Sequence, residues 1–377
     1  MQYTKLKNIN KYKSENINPA KTPDTVFEMY SVPIYETGHP EYLRGSQIAS
    51  NKAVVEKNDI LVCKINPRIN RVWIVSDESD NLNIASSEWI VVRNNEYNPE
   101  FLAWYFRTPR FQKLMTSEVT GIGGSLTRAQ PKSVAEYPVP VLDRNTQNEI
   151  VARLNKCKII IDSKEQELEQ LDTLVKSRFA EMFGDISDDE KKTMADICTI
   201  ITDGTHQPPK FVSEGIPFLF VSNIVTNEIS YDTQKFISEE TYAKLIKRTP
   251  IEIGDILLST VGSYGHPAVV KKEKPFCFQR HIAYLKPNAD MVDSEYLRGA
   301  ILSADVQRQI DEGVKGIAQK TLNLSEIRKI KLPLPPIDRQ KQFAAFVAQT
   351  DKSKSKIQKS LEETQLLFDS LMQKYFG

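Results

Sequence analysis

A polar loop at residues 202–209 of this 377-residue chain carries side chains that could bind a ligand through hydrogen bonds. Its hydroxyl, imidazole and amide groups belong to Thr205, His206 and Gln207, and the two prolines that follow them stiffen the turn. A surface turn that satisfies its own backbone would use the same residue types. The loop is therefore a candidate binding segment with a purely structural alternative.

A second polar loop follows at residues 260–266. Its two glycines would let the backbone approach a ligand closely, because glycine has no side chain to clash. The donors and acceptors beside them are Ser263, Tyr264 and His266. A self-capped turn is again the alternative.

The first half of the chain has a more basic loop at residues 64–71. Its amide and guanidinium groups suit the base edges of adenine and guanine. A solvated basic loop would have the same composition. The side chains that we assign as candidate DNA contacts here are Lys64, Asn66, Arg68, Asn70 and Arg71.

Further cations lie near these loops or follow a Gly-Ile pair that occurs in each half, at residues 121–122 and 316–317. Lysine and arginine at such places can hold phosphates without recognising sequence. The candidates are Arg128 and Lys132 in the first half, and Arg280, Lys315, Lys320, Arg328, Lys329 and Lys331 in the second.

No motif in the sequence supports catalysis. An adenine methyltransferase would need an Asn/Asp-Pro-Pro-aromatic loop, and residues 66–68 (NPR) and 207–210 (QPPK) both depart from that pattern. A phosphate-binding GxxxxGK[ST] loop and a nuclease pattern are also missing from the sequence. His206 with Asp203 could form an acid–base pair, but no nucleophile accompanies them. We expect a non-catalytic chain.

The four cysteines and four histidines do not have the spacing of a zinc site, so no metal and no cofactor is expected in this chain. The formal net charge of +1 means that any basic surface must be local. The sequence contains no apolar run of membrane-spanning length and no signal peptide at its beginning. We expect no membrane association and a cytoplasmic location.

The chain contains an internal repeat. Residues 98–102 (NPEFL) correspond to 293–297 (DSEYL), and residues 139–144 (VPVLDR) to 334–339 (LPPIDR), each pair 195 positions apart. Residues 56–61 (EKNDIL) likewise resemble 252–257 (EIGDIL), whereas the segments between such matches differ almost completely. This pattern indicates a duplicated module with a retained scaffold and a divergent binding surface.

A long helix is predicted at the end of each repeat. Each begins after a Pro-containing extended segment, with Asp143 or Asp338 as the N-cap, and each ends at a glycine. Apolar residues recur at heptad spacing in both, which favours mutual antiparallel pairing over two ordinary surface helices. The seam residues assigned to the coiled coil are Ile150, Leu154, Ile161, Leu168, Leu171, Val175, Phe343, Val347, Ile357, Leu361, Phe368 and Leu371.

Each module mixes short β-rich runs with helical stretches. In the first module we predict strands at residues 59–64, 71–75 and 88–92 and one helix at 99–115; in the second, strands at 255–259, 267–270 and 281–285 and one helix at 294–310. The fold class is α+β: two α/β modules in a pseudo-twofold arrangement, joined by two long antiparallel helices. The predicted segments are residues 1–142, 143–184, 185–333 and 334–377.

These features together resemble the specificity subunits of Type I restriction-modification systems along essentially the whole chain. The resemblance rests on the two divergent modules, on the Pro-rich strands at 137–142 (YPVPVL) and 332–337 (LPLPPI), and on the long helices that end in Phe-Gly. Residues 203–206 (DGTH), followed by Pro209 and by residues 215–218 (GIPF), are similar to a common opening of such modules.

The resemblance implies that each module recognises one half of a split double-stranded DNA site and that the helices set the spacing. It also implies two methyltransferase subunits as partners, and a restriction or translocase subunit as a further one. S-adenosylmethionine, Mg and ATP would belong to those partners. The first module departs from the family pattern, because it lacks the DGTH motif and the glycines of residues 262 and 265.

Two alternatives remain open at this stage. One is a coiled-coil scaffold whose modules bind protein rather than DNA. The other is a specificity subunit of a methylation-only system, which differs from the full system in other polypeptides.

Overall fold

The computed structural model describes residues 2–120, 127–187, 190–316 and 320–377, which form two compact units. The first unit comprises residues 1–163 and 360–377, and the second comprises residues 164–359. Each unit therefore contains one module and a part of both long helices. Strands and helices are mixed in both units, which confirms the α+β prediction.

The first unit consists of short strands and helices, followed by the first long helix. Its strands are β1 (Gln2–Lys5), β2 (Asn16–Ile17), β3 (Val26–Tyr30), β4 (Glu41–Arg44), β5 (Lys52–Val54), β6 (Ile60–Cys63), β7 (Val72–Ile74), β8 (Leu82–Ala85), β9 (Trp89–Val92), β10 (Val119–Thr120), β11 (Arg128–Ala129) and β12 (Pro138–Val141). Its helices are α1 (Leu6–Ile9), α2 (Pro99–Phe106), α3 (Pro109–Ser117), α4 (Pro131–Val134) and the beginning of α5 (Arg144–Phe183).

The second unit has a closely related set of elements. Its strands are β13 (Lys191–Thr193), β14 (Cys198–Asp203), β15 (Ile216–Leu219), β16 (Phe236–Ile237), β17 (Ile256–Ser259), β18 (Pro267–Val269), β19 (Cys277–Phe278), β20 (Ile282–Pro287) and β21 (Lys331–Pro333). Its helices are α6 (Met194–Ile197), α7 (Glu239–Leu245), α8 (Ser294–Ile301), α9 (Ala304–Gly313), α10 (Leu324–Lys329) and most of α11 (Ile337–Phe376).

The two units share their strand pairing. In the first, β6 lies between β7 and β9 in an antiparallel sheet, and in the second β17 lies between β18 and β20 in the same way. A parallel pair, β3 with β8 or β15 with β19, belongs to a neighbouring sheet in each unit. The Pro-rich strand pairs with the first strand of its module, β12 with β1 and β21 with β13. The sequence repeat is therefore a repeat of topology.

Aromatic side chains form much of the core of the first unit. Tyr30 and Trp73 meet edge to face with ring centroids 4.9 Å apart. The indole Nε1 of Trp89 donates to the carbonyl of Tyr30 over 3.0 Å, so this buried polar group is satisfied. Near the long helices, Phe101 packs against Phe376 with centroids 5.5 Å apart. This contact joins the module to the end of α11 within the same unit.

The second unit uses a similar aromatic cluster where α8 meets the long helices. Phe179, Phe183, Tyr296 and Phe343 pack together with ring centroids 5.0–6.5 Å apart. All four side chains are buried. The Tyr296 hydroxyl donates to the carbonyl of Pro333 over 2.6 Å, which ties the cluster to the Pro-rich strand.

Antiparallel pairing of the long helices is visible within each unit. In the first unit Arg153, near the start of α5, donates to the hydroxyl of Tyr375, near the end of α11, over 3.1 Å. In the second unit Lys354 of α11 forms an ion pair with Asp172 of α5. Early residues of one helix thus face late residues of the other. This confirms the antiparallel pairing predicted from the sequence.

The predicted seam also matches the burial of both helices. Ile150, Leu154, Ile161, Phe343 and Val347 are buried. The remaining seam residues are half-buried, namely Leu168, Leu171, Val175, Ile357, Leu361, Phe368 and Leu371. The buried seam residues lie in the N-terminal halves of the two helices, where module side chains pack against Ile150, Leu154, Phe343 and Val347.

Some sequence-based predictions were wrong in detail. The single helix expected at 99–115 is two helices, since Thr108 accepts a bond from the amide of Phe111 and Pro109 begins the second. The helix expected at 294–310 breaks at Ser303 for the same reason, because that side chain caps α9. Asp143 caps α5 as predicted, with its carboxylate accepting from the amide of Thr146. Asp338 lies inside the first turn of α11 and is not its N-cap.

Within the described part of the chain, no helix is both long and apolar enough to cross a membrane. The cysteines at positions 63, 157 and 277 are buried and unbridged, and Cys198 is half-buried and unbridged. Burial raises the pKa of the Cys198 and Cys277 thiols to about 12. Both thiols therefore stay protonated near neutral pH.

Candidate nucleic-acid interface

The loop after β6 in the first unit is fastened by backbone hydrogen bonds. The amide of Asn66 donates to the carbonyl of Thr127 over 2.8 Å, and the amide of Ala129 donates to the carbonyl of Lys64 over 2.9 Å. The amide of Lys64 donates to the carbonyl of Glu88 over 3.0 Å. These bonds use main-chain atoms only, so they place few demands on the side chains of the loop.

The loop after β17 in the second unit is fastened by the same three bonds. The amide of Gly262 donates to Lys320 over 3.3 Å, and the amide of Leu322 donates to Thr260 over 2.8 Å. The amide of Thr260 donates to the carbonyl of His281 over 3.0 Å. We call this set of backbone bonds the loop frame. The loops at residues 64–71 and 260–266 therefore occupy equivalent positions in the two units.

Two asparagines in the first unit occupy the backbone conformation that glycines occupy in the second. Asn66 and Asn70 have φ of 47° and 52°, whereas Gly262 and Gly265 have φ of 75° and 82°. Asparagine tolerates this left-handed region better than most residues with a side chain. The missing glycines of the first module are thus replaced by asparagines.

The side chains of these two asparagines differ in their hydrogen bonding. The side-chain amide nitrogen Nδ2 of Asn70 donates to the backbone carbonyl of Arg107 over 3.0 Å. The Oδ1 atom of Asn66 is buried and has no hydrogen-bond partner in the part of the chain that the structure describes. A direct contact of either residue with a DNA base stays a prediction.

The cations of this first loop differ in exposure. Arg68 is exposed on the turn after Asn66, and Lys64 is half-buried. The side chain of Arg71 is only 19% exposed, and its Nε lies 3.8 Å from a carboxylate oxygen of Glu36. Arg68 and Lys64 are therefore better placed than Arg71 to contact an external ligand.

Arg128 of β11 forms an ion pair with Glu88, which immediately precedes β9. Its Nε and one terminal nitrogen donate to the two carboxylate oxygens over 3.2 and 3.3 Å. Hydrogen bonding to Glu88 raises the pKa of the guanidinium further above its ordinary value. The pair orients Arg128 and neutralises much of its charge.

In the second unit the carboxylate of Asp203 organises the loop at residues 202–209. One oxygen lies 2.9 Å from Nε2 of His206, and the other forms an ion pair with Arg248. The hydroxyl of Thr205 donates to the backbone carbonyl of Gln207 over 2.9 Å. Thr205 therefore satisfies its own turn, whereas the side chains of His206 and Gln207 are exposed.

The side chains of the second polar loop diverge. Tyr264 donates to a carboxylate oxygen of Asp311 over 2.9 Å, and this bond raises the pKa of its hydroxyl. His266 is half-buried, with Nδ1 3.3 Å from Oδ1 of Asn227, and burial lowers its pKa. Ser263 alone among the three predicted contacts is exposed.

A cleft of about 290 Å³ lies between the loop at 202–209 and the loop frame of the second unit. The polar and charged residues at its wall include Asp203, His206, Arg280 and His281. Segments distant in sequence thus meet at one site. We call this site the Asp203 cleft.

Two further predicted cations, Lys315 and Lys320, lie at the loop frame of the second unit. Lys320 contributes a carbonyl to the frame, and its side chain is exposed. Lys315 pairs through its backbone with Thr321 and lies 3.7 Å from a carboxylate oxygen of Glu326. Of the Gly-Ile pairs used to locate these cations, residues 121–122 and residue 317 lie outside the described residues.

Sequence reasoning missed Glu88, Arg248 and His281. Glu88 and His281 are 193 positions apart, and each immediately precedes an equivalent strand, β9 or β20. Aligning the two halves on those strands would have identified both. Nothing comparable marked Arg248, which reaches Asp203 from the turn after α7.

The Asp203–His206 pair has the geometry of an acid–base couple, but the described residues that line the Asp203 cleft include no serine, cysteine or lysine. Among the described residues, no cluster of histidine, cysteine and carboxylate side chains could hold a metal ion. The arrangement can bind and orient a polar ligand through hydrogen bonds and ion pairs.

This chain is similar to known specificity subunits of Type I restriction enzymes. Residues 186–364 match the family model of the Type I restriction modification DNA specificity domain. The specificity subunit of the Type I restriction enzyme EcoBI from Escherichia coli is 22% identical over 322 residues, which is 76% of this chain and 67% of that protein. The MjaVIII specificity subunit from Methanocaldococcus jannaschii is 19% identical over 360 residues, 88% of this chain and 82% of that protein.

Solved structures agree on the fold. The S subunit of a Type I restriction-modification system from M. genitalium superposes with a TM-score of 0.59 at 15% identity, covering 100% of this chain and 96% of that one. A chain from a structure of type I R-M complex assembly and conformational transition gives 0.58 at 18% identity, covering 100% and 97%.

Proposed function

We propose that this chain, which belongs to the family of Type I restriction-modification specificity subunits, recognises a split DNA sequence with one module per half-site. The observation that carries the proposal is the loop frame. Its backbone bonds are the same in both units, while the side chains mounted on it differ in almost every position. A constant scaffold with variable polar side chains suits two binding sites for two different sequences.

The long helices are proposed to set the distance between the two half-sites. Each has 40 residues, which corresponds to roughly 60 Å of helix at ~1.5 Å per residue. Two groups that enter the major groove on one face of DNA must lie about one helical turn, ~34 Å, or a multiple apart. A paired helix of fixed length can impose such a separation.

The helices are also the proposed docking site of two methyltransferase subunits. Ile159, Leu174, Leu366 and Leu367 are apolar residues of α5 and α11 that are exposed in this chain. Exposed apolar side chains on a helix surface favour burial against a protein partner. In this proposal the partners methylate adenine with S-adenosylmethionine, and any Mg- and ATP-dependent restriction subunit joins through them; the present chain supplies no catalytic group.

The test is a gel-shift salt series of the chain, alone and with its candidate methyltransferase subunit, followed by sequencing of the methylated DNA. We expect a split, adenine-containing motif that is bound tightly only with the partner present. The logarithm of the binding constant should fall linearly with the logarithm of salt concentration, as counterions are released from phosphates. A folded complex that fails to bind DNA even at low salt would favour the coiled-coil scaffold. Methylation without any cleavage in the native host would indicate a methylation-only system.

A further inference from the structure

The segment between β19 and β20 places an arginine at the mouth of the Asp203 cleft on a rigid backbone. The amide of Arg280 donates to the carbonyl of Thr205 over 3.1 Å, and the amide of Ile282 closes a turn onto the carbonyl of Gln279 over 3.1 Å. The next carbonyl, of His281, accepts the loop-frame bond from Thr260. Arg280 is thus held by backbone bonds on both sides.

The side chain of Arg280 is also oriented. Its Nε donates to Nε2 of His281 over 3.3 Å. This bond requires Nε2 of His281 to be the unprotonated ring nitrogen. Burial, together with the charge of Arg280, lowers the pKa of His281, so the neutral form that accepts the bond dominates near neutral pH. The imidazole therefore fixes the plane of the guanidinium.

The two terminal nitrogens of Arg280 remain available. No hydrogen bond or ion pair joins them to any residue that the structure describes, and the side chain is exposed. The nearby carboxylate of Asp203 is already paired with His206 and Arg248. A positively charged fork with fixed orientation thus faces solvent beside a polar cleft.

The equivalent place in the first unit has different chemistry. Glu88 stands where His281 stands in the second unit, because the carbonyls of both accept the same loop-frame bond. Glu88 binds Arg128 through Nε and one terminal nitrogen, which occupies part of the fork and neutralises charge. The same frame position therefore carries an acceptor for arginine in both units, but only the second leaves the fork open.

We infer that Arg280, oriented by His281, is a specificity-determining residue that recognises a guanine in the half-site bound by the second unit. Arginine that offers two terminal nitrogens matches the O6 and N7 acceptors of guanine in the major groove, and no other base presents this pair of acceptors. His281 acts as a positioning residue, since it touches the guanidinium rather than the base. This inference rests on the proposed function.

The experiment selects binding sites from a randomised duplex library, using the full chain with its methyltransferase subunit. For R280A we expect one guanine position, in one half-site only, to become degenerate. Binding to the wild-type duplex should weaken by roughly 5- to 150-fold, the value typical of one bidentate base contact. R280K should keep the charge but weaken the same base preference, because lysine lacks the planar fork of arginine.

Two His281 variants test the positioning role. H281Q retains an acceptor for Nε of Arg280 and should keep the guanine preference, whereas H281F removes the acceptor and should weaken it. K315A, at an exposed lysine of the same unit, is the matched control. It should weaken binding to all sequences alike and reduce the salt dependence.

Each outcome separates the inference from the proposed function. If the wild-type complex selects no motif, the proposed function fails. If it selects a motif that R280A and R280K preserve in full, only the Arg280 inference fails. Uniform weakening by R280A across all sequences would likewise overturn it, because that behaviour belongs to a phosphate contact.

Discussion

At the scale of single residues, each unit contains a buried aspartate at the same position, and the two aspartates have different partners. Asp59 and Asp255 each accept a bond from the amide three residues earlier, which fixes the turn before β6 or β17. Arg93 binds Asp59 through two nitrogens at 2.8 and 2.6 Å. Asp255 instead accepts from the hydroxyl of Tyr284 at 2.7 Å, and Lys286 lies 3.5 Å away.

Burial raises the pKa of Asp255, in spite of these partners. The folded state therefore favours the protonated carboxyl, and the contribution of this group to stability is greatest below its unfolded pKa. The contribution is lost as the pH rises through the folded-state pKa.

Truncation of the cation should therefore affect the two units unequally. R93A removes the ion-pair partner of the buried carboxylate of Asp59, and we expect it to destabilise the first unit by about 3 kcal/mol. K286A should cost less than about 1.5 kcal/mol, because the hydroxyl of Tyr284 still satisfies Asp255. Hydrogen exchange of peptides that contain β6 and β17 measures the two effects locally. Equal losses of protection would contradict the assigned partners.

At the scale of elements, Gly299 of α8 leaves room for close packing of this helix against the long helices. A Cβ atom built on Gly299 would lie 2.6 Å from the ring of Phe343 and 3.1 Å from that of Phe179. The position 195 residues earlier is Trp104, which packs edge to face on Phe368 with centroids 5.5 Å apart. At this position of the module helix the first unit has the large side chain of Trp104. The second unit has Gly299, and the ring of Phe343 from the long helix packs there instead.

Adding a methyl group at this contact should be costly. We expect G299A to destabilise the second unit by about 1–3 kcal/mol through overpacking, although alanine is the better helix former. The double variant G299A/F343L should recover part of the loss, because leucine vacates the space that the Cβ needs. Thermal unfolding of the single and double variants measures the coupling free energy between positions 299 and 343. A stabilised G299A would show that Phe343 can move aside at no cost.

At the scale of the whole molecule, α5 and α11 each contribute residues to both compact units. The first unit is not a continuous stretch of chain, since it includes the end of α11, whereas the second unit is the continuous stretch 164–359. The helices are therefore part of the folding unit of each module and not linkers attached afterwards. Because each module folds together with parts of both helices, a change in helix length should change the distance between the two DNA half-sites in the proposed function.

Shortening both helices together tests that role. Deletion of residues 167–173 and 353–359 removes one heptad from each helix, including the Asp172–Lys354 pair, and keeps the seam in phase. The loss of about 10 Å of helix should shorten the unspecified spacer of the methylated motif by about three base pairs, or abolish binding. Alanine substitutions at Glu167, Glu169 and Gln170 serve as the control, since all three are exposed. An unchanged spacer in the deletion variant would exclude the helices as the determinant.

Much of the architecture could be predicted from the sequence, because repetition and heptad spacing are periodic signals. Ile150 and Phe343 were assigned to the seam from spacing alone, and both are buried. The breaks at Thr108 and Ser303 were missed, since a capping hydroxyl inside an otherwise helical pattern is a weak local signal.

The candidate site was less predictable than the fold. Residue types alone could not show that Arg128 is paired with a carboxylate, that Arg71 is largely buried near one, or that Tyr264 donates to Asp311. The Asp203 cleft brings together segments about 120 residues apart in sequence, and only tertiary structure specifies such a meeting. The base contacts of all these side chains remain predictions.

The loop frame has a consequence for how such a protein can change over time. Because its bonds join amides and carbonyls, nearly any residue can be exchanged in the loops without loss of a fastening bond, apart from the positions with positive φ. Substitutions in these loops should therefore have little effect on folding, although they change the side chains that the loops expose. A library randomised at residues 64, 68, 263 and 320 should yield mostly folded variants, and new target preferences could be sought among them without redesign of the scaffold.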